Sequence, residues 1–104
     1  MDFSVVITTY NRPDYLEQSL KSVLAQHVQP KEIIVVDDNT ATSYDDVLSK
    51  FDDARIQYLK QPVSGGANVA RNRGVKESSG DIVAFLDDDD IWLPVYLDHH
   101  QEKY

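Results

Sequence analysis

Residues 82–90 read IVAFLDDDD, five apolar residues followed at once by four carboxylates. A short continuous apolar run is typical of a buried strand, so the order predicts a strand that carries clustered negative charge to one edge of a sheet. Two like charges about 4 Å apart repel by roughly 4 kcal/mol at an effective dielectric near 20, which favours a bound cation. The alternative is a solvated acidic turn, with an Asp capping a helix whose first turn contains Pro94.

The sequence before this segment alternates between strand and helix patterns. Apolar runs predict strands at residues 3–8 (FSVVIT), 32–36 (EIIVV), 56–59 and 81–86. Apolar residues at helical spacing predict helices from Pro13 to near Gln26, at 43–51, at 67–78, and from Pro94 onward to Tyr104. We therefore predict an α/β fold, with a mostly parallel sheet of about four strands and helices on both faces.

The turns that follow the strands are rich in polar residues. In a right-handed parallel sheet these turns meet along one edge, which predicts that residues 8–12, 37–40, 64–68 and 87–90 surround one crevice. Oxygen ligands for a divalent cation and backbone amides from a glycine loop suit a nucleoside diphosphate. Of two arginines on the third helix, Arg71 lies nearer the loop, and Arg73 cannot face the same ligand.

Each of these motifs also has a purely structural interpretation. The acids at 37 and 38 can form a turn that caps the next helix. Gly65 and Gly66 lack the spacing and the Lys-Ser/Thr ending of a phosphate-binding P-loop, and such a pair is more often a plain loop. Only the geometry of the sheet edge favours the functional interpretation.

Composition limits the classes of function. The chain has 104 residues, enough for one domain, and no Cys, which excludes thiol chemistry. Its 10 basic and 18 acidic residues give a net charge of -8, which argues against a nucleic-acid partner. No apolar run approaches the roughly 20 residues of a membrane span. We expect a cytoplasmic protein without a membrane span.

Four segments occur in a recognisable order: TTYNRPDYLEQSLKSVLAQ, EIIVVDDNT, GGANVARNRGV and GDIVAFLDDDDIWLPVYL. This series resembles the nucleotide-sugar half of family 2 inverting glycosyltransferases with the GT-A fold, over residues 3 to about 99. The resemblance implies that residues 1–104 are an N-terminal donor-binding part without the acceptor half. It places the catalytic base beyond residue 104, so we expect this chain alone to be inactive.

The resemblance also implies roles for individual residues. Those expected to bind the nucleotide are Thr8, Thr9, Tyr10, Arg12, Asp38, Arg71, Asp87 and Asp88. Among them, Asp38 would hydrogen-bond the base. The Asp-X-Asp signature maps on residues 87–89, with Asp89 as the direct metal ligand. Either Asp87 or Asp88 would contact the ribose or a metal-bound water, and Asp87 is the second candidate ligand.

The implied reaction moves a sugar from a nucleoside-diphosphate sugar, a UDP-sugar foremost, to an acceptor hydroxyl with inversion. Its cofactor would be a divalent cation, Mn or Mg, and its acceptor a glycan or a lipid-linked sugar. The protein could then be peripheral to the inner face of the membrane. The alternative is a non-catalytic nucleotide-sugar or metal-binding module completed by a partner chain. We also expect apolar surface, at an open sheet edge or on one face of the last helix, to permit self-association.

Overall fold

The computed structural model describes residues 2–41, 43–88, 91, 92 and 97. Strands and helices alternate along these residues. Their order is β1 (Phe3–Thr9), α1 (Pro13–Leu24), β2 (Glu32–Asp37), α2 (Asp45–Leu48), β3 (Ile56–Lys60), α3 (Ala67–Glu77) and β4 (Ile82–Asp87).

The strands form one sheet in the order β3-β2-β1-β4, and every neighbouring pair is parallel. Thr8 at the end of β1 is opposite Asp87 of β4, and Thr9 is opposite Asp37 of β2. All four strands therefore end at the same edge, which carries the polar residues. The predicted parallel α/β architecture is confirmed.

Helices cover both faces of this sheet. On one face, Phe3, Val5 and Ile7 of β1 belong to a core that α1 completes with Leu16 and Leu20. On the other face, a smaller core comprises Val6, Ile34, Val36 and Ala70, and Ala70 comes from α3. Successive side chains along a strand point to opposite faces of the sheet, so neighbouring residues of β1 belong to different cores. The same alternation decides which helix each residue at the sheet edge contacts.

Several element boundaries differ from the sequence prediction. The strands β1, β2 and β4 each end one residue later than expected, on Thr9, Asp37 and Asp87, so these polar residues belong to the sheet itself. Predicted at 43–51, α2 is a single turn. Beyond it, Lys50 and Phe51 make i→i−3 backbone bonds instead, the tighter pattern common at helix ends.

The predicted last helix, from Pro94 to Tyr104, lies outside the described residues except for Leu97, which is helical and fully buried. Trp92 is 9% exposed and belongs to the larger core.

Candidate functional site

A crevice of about 470 Å³ opens at the carboxyl edge of the sheet. Its lining residues are Thr8, Thr9, Tyr10, Asn11, Arg12, Asp38, Ala67, Ala70, Arg71, Asp87 and Asp88. The structure thus brings together every predicted nucleotide-binding residue. The predicted ligand Asp89 lies outside the described residues. The individual roles of these side chains stay predictions.

Asp87 faces α3. It continues the side of β4 that carries Val83, which packs on the α3 core. One of its oxygens, Oδ1, accepts hydrogen bonds from the Thr8 hydroxyl at 3.2 Å and from Arg71 Nη2 at 2.9 Å. Arg71 is oriented in turn by Asn68, whose Oδ1 lies 3.1 Å from Nη1. The positively charged guanidinium of Arg71 is therefore held in a fixed position at the crevice wall.

Asp88 faces the opposite way, toward α1. Its Oδ2 accepts hydrogen bonds from the Thr9 hydroxyl at 2.9 Å and from the Tyr10 N–H at 3.3 Å. Arg12 Nη1 lies 3.5 Å from Oδ1. Asp88 is almost completely buried, whereas the side chain of Asp87 is 45% exposed. The two adjacent acids therefore differ in environment: Asp88 fixes the loop after β1, and Asp87 is open to a ligand.

The Asp38 carboxylate organises the glycine loop. It accepts hydrogen bonds from Gly65 N–H at 2.8 Å, and from the Ser64 hydroxyl and Gly66 N–H at 3.0 Å each. Burial alone would raise the pKa of Asp38, but these three donors outweigh it and hold the pKa below its ordinary value of 3.8. Gly66 has φ of +89°, a conformation suited to glycine. Asp38 is therefore a carboxylate preorganised beside the start of α3.

Asp37 does not join the crevice, so the prediction that acids 37 and 38 both surround it was wrong for Asp37. Its side chain is fully buried and accepts hydrogen bonds from the Tyr58 hydroxyl and the Thr40 N–H. Burial, followed by the neighbouring Asp37 carboxylate, strongly raises the pKa of Tyr58. The cause of the error is the two-residue period of a strand: Asp37 follows Ile33 and Val35 on the face that holds the larger core.

The two arginines of α3 diverge as predicted. Arg71 contacts Asp87, whereas Arg73 Nη1 donates a 2.7 Å hydrogen bond to Gln61, away from the crevice. Tyr15 on α1 is 57% exposed. The Arg12 guanidinium lies 5.8 Å from its ring centroid, within the range of a cation–π contact.

One lining residue, Ala70, was missed by sequence reasoning, whereas Asn11 and Ala67 fall within the predicted ranges 8–12 and 64–68. Ala67 and Ala70 line the crevice, and their small side chains on the first turn of α3 leave room for a ligand. Asn11 has φ of +55°, a conformation that Asn tolerates better than most residues, and its N–H donates to the Thr40 hydroxyl at 2.8 Å. The helical i, i+3 spacing of the two alanines was the available signal.

A divalent cation fits this site only in part. Carboxylate oxygens are the ligands that Mg²⁺ and Mn²⁺ prefer. Asp87 lines the crevice, and no hydrogen bond to its Oδ2 occurs within the described part of the chain. No group of three or more potential ligands occurs among the same residues. The described residues therefore supply one available carboxylate oxygen. This suits a cation that retains open positions for phosphate oxygens, with Asp89 as the expected direct ligand.

The family model described as glycosyl transferase family 2 matches residues 4–104. The chain belongs to glycosyltransferase family 2. This confirms the resemblance carried by the four sequence segments.

Two family 2 relatives illustrate the similarity. The chain is 42% identical over 103 residues to the GalNAc(5)-diNAcBac-PP-undecaprenol β-1,3-glucosyltransferase of Campylobacter jejuni. It is 40% identical over 101 residues to a putative teichuronic acid biosynthesis glycosyltransferase of Bacillus subtilis. The alignments cover 96% and 95% of this chain, but only 33% and 40% of the relatives. The chain therefore spans about a third of the length of curated family 2 relatives.

Solved structures agree with the family 2 fold. TarS of S. aureus, residues 1–349 in complex with UDP-GlcNAc, superposes with a TM-score of 0.87 at 29% identity. The match covers 98% of this chain and 30% of that one. A mannosyltransferase of Pyrobaculum calidifontis in complex with GDP-Man and Mn²⁺ superposes with a TM-score of 0.81 at 22% identity, over 91% of this chain and 30% of that one. That second likeness concerns the fold alone.

Among the described residues, no helix is both long and apolar enough to cross a membrane.

Proposed function

We propose that this chain is the donor-binding part of a metal-dependent inverting glycosyltransferase that uses a UDP-sugar. The observation that carries the proposal is the convergence of Asp38, Asp87 and Arg71 on one crevice, although 49 positions separate the two acids along the sequence. Relatives named as glycosyltransferases and a TarS complex with UDP-GlcNAc support it. The acceptor half and the catalytic base would come from outside these residues.

The nucleoside would lie between Thr8, Thr9 and Tyr10 on one side and Asp38 on the other. A carboxylate has about four lone-pair positions, and three described donors occupy three of those on Asp38. One position remains for a ring N–H. Uracil and thymine present a single ring N–H, whereas guanine presents a ring N–H beside an amino group. The hydrogen-bonding state of Asp38 therefore favours uracil or thymine.

The diphosphate would lie toward Arg12, Arg71 and Asp87, which line the same crevice. Arg71 would position the donor while remaining paired with Asp87 through Oδ1, leaving Oδ2 of that acid for the cation. Asp89 would be the direct metal ligand. When bound, the cation would offset the charge of the departing diphosphate. The ribose would contact Asp87 rather than Asp88, because the Asp88 carboxylate is buried and already hydrogen-bonded to the loop after β1.

For transfer with inversion, an acceptor hydroxyl must attack the anomeric carbon from the side opposite the diphosphate, with a general base to remove its proton. Among the described crevice acids, Asp38 and Asp88 are held by hydrogen bonds from the protein. The base is therefore proposed to lie beyond residue 104. Relatives named for undecaprenol-linked substrates support a glycan or lipid-linked sugar as acceptor, and a location at the cytoplasmic face of the membrane.

We extend the proposal to self-association through β4. Among the described residues β4 pairs only with β1, and Phe85 on it is 44% exposed. A strand edge with unpaired backbone groups beside an apolar side chain can pair with a second copy.

Calorimetric titration of UDP, dTDP and GDP, each with and without Mn²⁺, tests the proposed donor site. We expect UDP and dTDP to bind at least about tenfold more tightly than GDP, equivalent to about 1.4 kcal/mol. Mn²⁺ should strengthen binding, and Asp89→Ala should abolish that Mn²⁺-dependent gain without altering the fold. Absence of binding by all three nucleotides would contradict the proposed function.

A further inference from the structure

A buried phenol lies directly behind the crevice and outside its lining. Tyr44, at the start of α2, is 2% exposed. Its hydroxyl oxygen lies 2.8 Å from the Thr9 hydroxyl and 3.3 Å from the Thr40 hydroxyl. It also accepts a hydrogen bond from the Arg12 N–H at 3.1 Å. One side-chain oxygen thus joins β1, the loop after β1 and the loop after β2.

The number of available protons fixes the direction of every bond in this network. As a carboxylate, Asp88 can only accept, so the Thr9 hydroxyl uses its single proton on Oδ2. Thr9 must then accept from the Tyr44 hydroxyl. With its own proton committed, Tyr44 must accept from the Thr40 hydroxyl, just as it does from Arg12.

The network therefore runs in one direction from backbone to carboxylate. The Asn11 N–H donates to Thr40, Thr40 donates to Tyr44, Tyr44 donates to Thr9 and Thr9 donates to Asp88. Bonds that share their donors and acceptors in this way polarise one another. Two consecutive backbone amides, of residues 11 and 12, depend on it.

From this geometry we propose that Tyr44 is a positioning residue of the nucleotide site. Its hydroxyl holds the backbone from which the Arg12 side chain extends and orients the hydroxyl that Thr9 directs at Asp88. The inference rests on the proposed function and deepens it, because it adds a residue that acts on the diphosphate-binding side of the crevice without touching the ligand.

The structure offers a matched control in Tyr58. The rings of Tyr44 and Tyr58 meet edge to face with centroids 6.0 Å apart. The Tyr58 hydroxyl donates to the buried Asp37, which is not part of the crevice. Tyr44→Phe and Tyr58→Phe each delete one hydroxyl from the same aromatic pair, but only the first deletion interrupts the bonds to Thr9 and Arg12.

The test measures UDP affinity by calorimetry and the backbone amide signals by ¹H–¹⁵N NMR. For Tyr44→Phe we expect UDP binding to weaken about tenfold, which is the upper end of the effect of losing one neutral hydrogen bond. The chemical shift of the Arg12 amide should change, and its hydrogen exchange should become faster. Tyr58→Phe should remain within about twofold of the original affinity. Thr40→Val, which leaves both rings in place, should reproduce the direction of the Tyr44→Phe effect.

A double-mutant cycle separates positioning from general destabilisation. The effects of Tyr44→Phe and Thr9→Val on UDP affinity should be non-additive because the two hydroxyls act in series, whereas those of Tyr58→Phe and Thr9→Val should add. If Tyr44→Phe and Tyr58→Phe change affinity equally, the inference fails and the proposed function stands. If the unsubstituted chain binds no UDP, both fail, and the Arg12 amide then reports on the hydrogen-bond network alone.

Discussion

The Ser19 hydroxyl donates a 2.8 Å hydrogen bond to the backbone carbonyl of Asp88, 69 residues later in the chain. Two further polar side chains act similarly: Ser22 Oγ accepts from the Trp92 N–H at 3.2 Å, and Gln26 Oε1 accepts from the Leu97 N–H at 3.0 Å. Ser19 and Ser22 lie one turn apart on α1, and Gln26 lies two residues beyond the end of that helix. These three side chains therefore bind backbone groups of residues that follow β4.

Ser22→Ala should destabilise the fold. The change removes the acceptor of the buried Trp92 N–H and a hydroxyl that donates to the Ser19 carbonyl. Loss of a buried partner costs about 1–3 kcal/mol. Urea unfolding followed by the fluorescence of the single Trp measures the free energy of unfolding. The control is Ser49→Ala, whose hydroxyl donates to a backbone carbonyl at an exposed position. Equal losses for the two variants would contradict the prediction.

Gly74→Ala should destabilise the packing of α3 on the sheet. A Cβ at this position would overlap Cγ1 of Val6 on β1 and lie 2.9 Å from Cγ2. Overpacking of this kind costs about 1–3 kcal/mol, which exceeds the gain of about 1 kcal/mol from replacing Gly in a helix. Asn72→Ala on the exposed side of α3 should be neutral or stabilising. Thermal unfolding of both variants and of the original chain measures these changes in stability. A Gly74→Ala variant more stable than the original chain would contradict the close contact between α3 and Val6.

Glu32→Gln should remove an acid-sensitive contribution to stability. Burial raises the pKa of Glu32, but hydrogen bonds from Ser79 and Ser4 outweigh it and hold the pKa below its ordinary value of 4.5. A depressed folded-state pKa contributes stability that is complete above the unfolded-state value and is lost as pH falls through the folded-state value.

The original chain should therefore exceed Glu32→Gln in free energy of unfolding at about pH 7, by about 1–3 kcal/mol, and the difference should shrink toward about pH 3. Glu77→Gln, at the exposed end of α3, serves as the control and should leave the pH profile unchanged. Denaturant titrations across this pH range provide the measurement. A difference that stays constant with pH would exclude the proposed role of Glu32.

Asp38→Ala should weaken nucleotide binding and base discrimination together. The substitution removes the proposed base acceptor and the carboxylate that holds the Ser64 hydroxyl and the Gly65 and Gly66 amides. We expect UDP affinity to fall at least about tenfold and the preference over GDP to disappear. Asp53→Ala alters an acid that pairs instead with Arg55 and should preserve that preference. Equal fractional losses for UDP and GDP would argue against recognition of the base by Asp38.

Self-association through β4 should depend on protein concentration. Light scattering is expected to detect dimers as concentration rises, and Phe85→Lys should shift the equilibrium toward monomer because a charge on an edge strand opposes pairing. Lys60, at the exposed end of the opposite edge strand β3, provides a control in Lys60→Gln. A strict monomer across the whole concentration range would contradict the proposal.

The sequence predicted the sheet and the location of the site because its apolar runs are short, continuous and followed at once by polar residues. It missed the separate environments of neighbouring acids, since these depend on which residue is the last in each strand. With β4 ending on Asp87, that acid meets Arg71 of α3, and Asp88 meets Thr9 and Arg12. Tyr44 was not predictable, because its position depends on the path of the loop between β2 and α2.

The pairing of Thr8 with Asp87 and of Thr9 with Asp88 spans 79 residues. Contacts between such distant positions are slow to form because loop closure must precede them. During synthesis the first three strands can associate before the fourth leaves the ribosome, but the crevice cannot exist until then. A nucleotide bound at the proposed site would therefore stabilise only a chain in which β4 has paired with β1, and it could not template the earlier steps of folding.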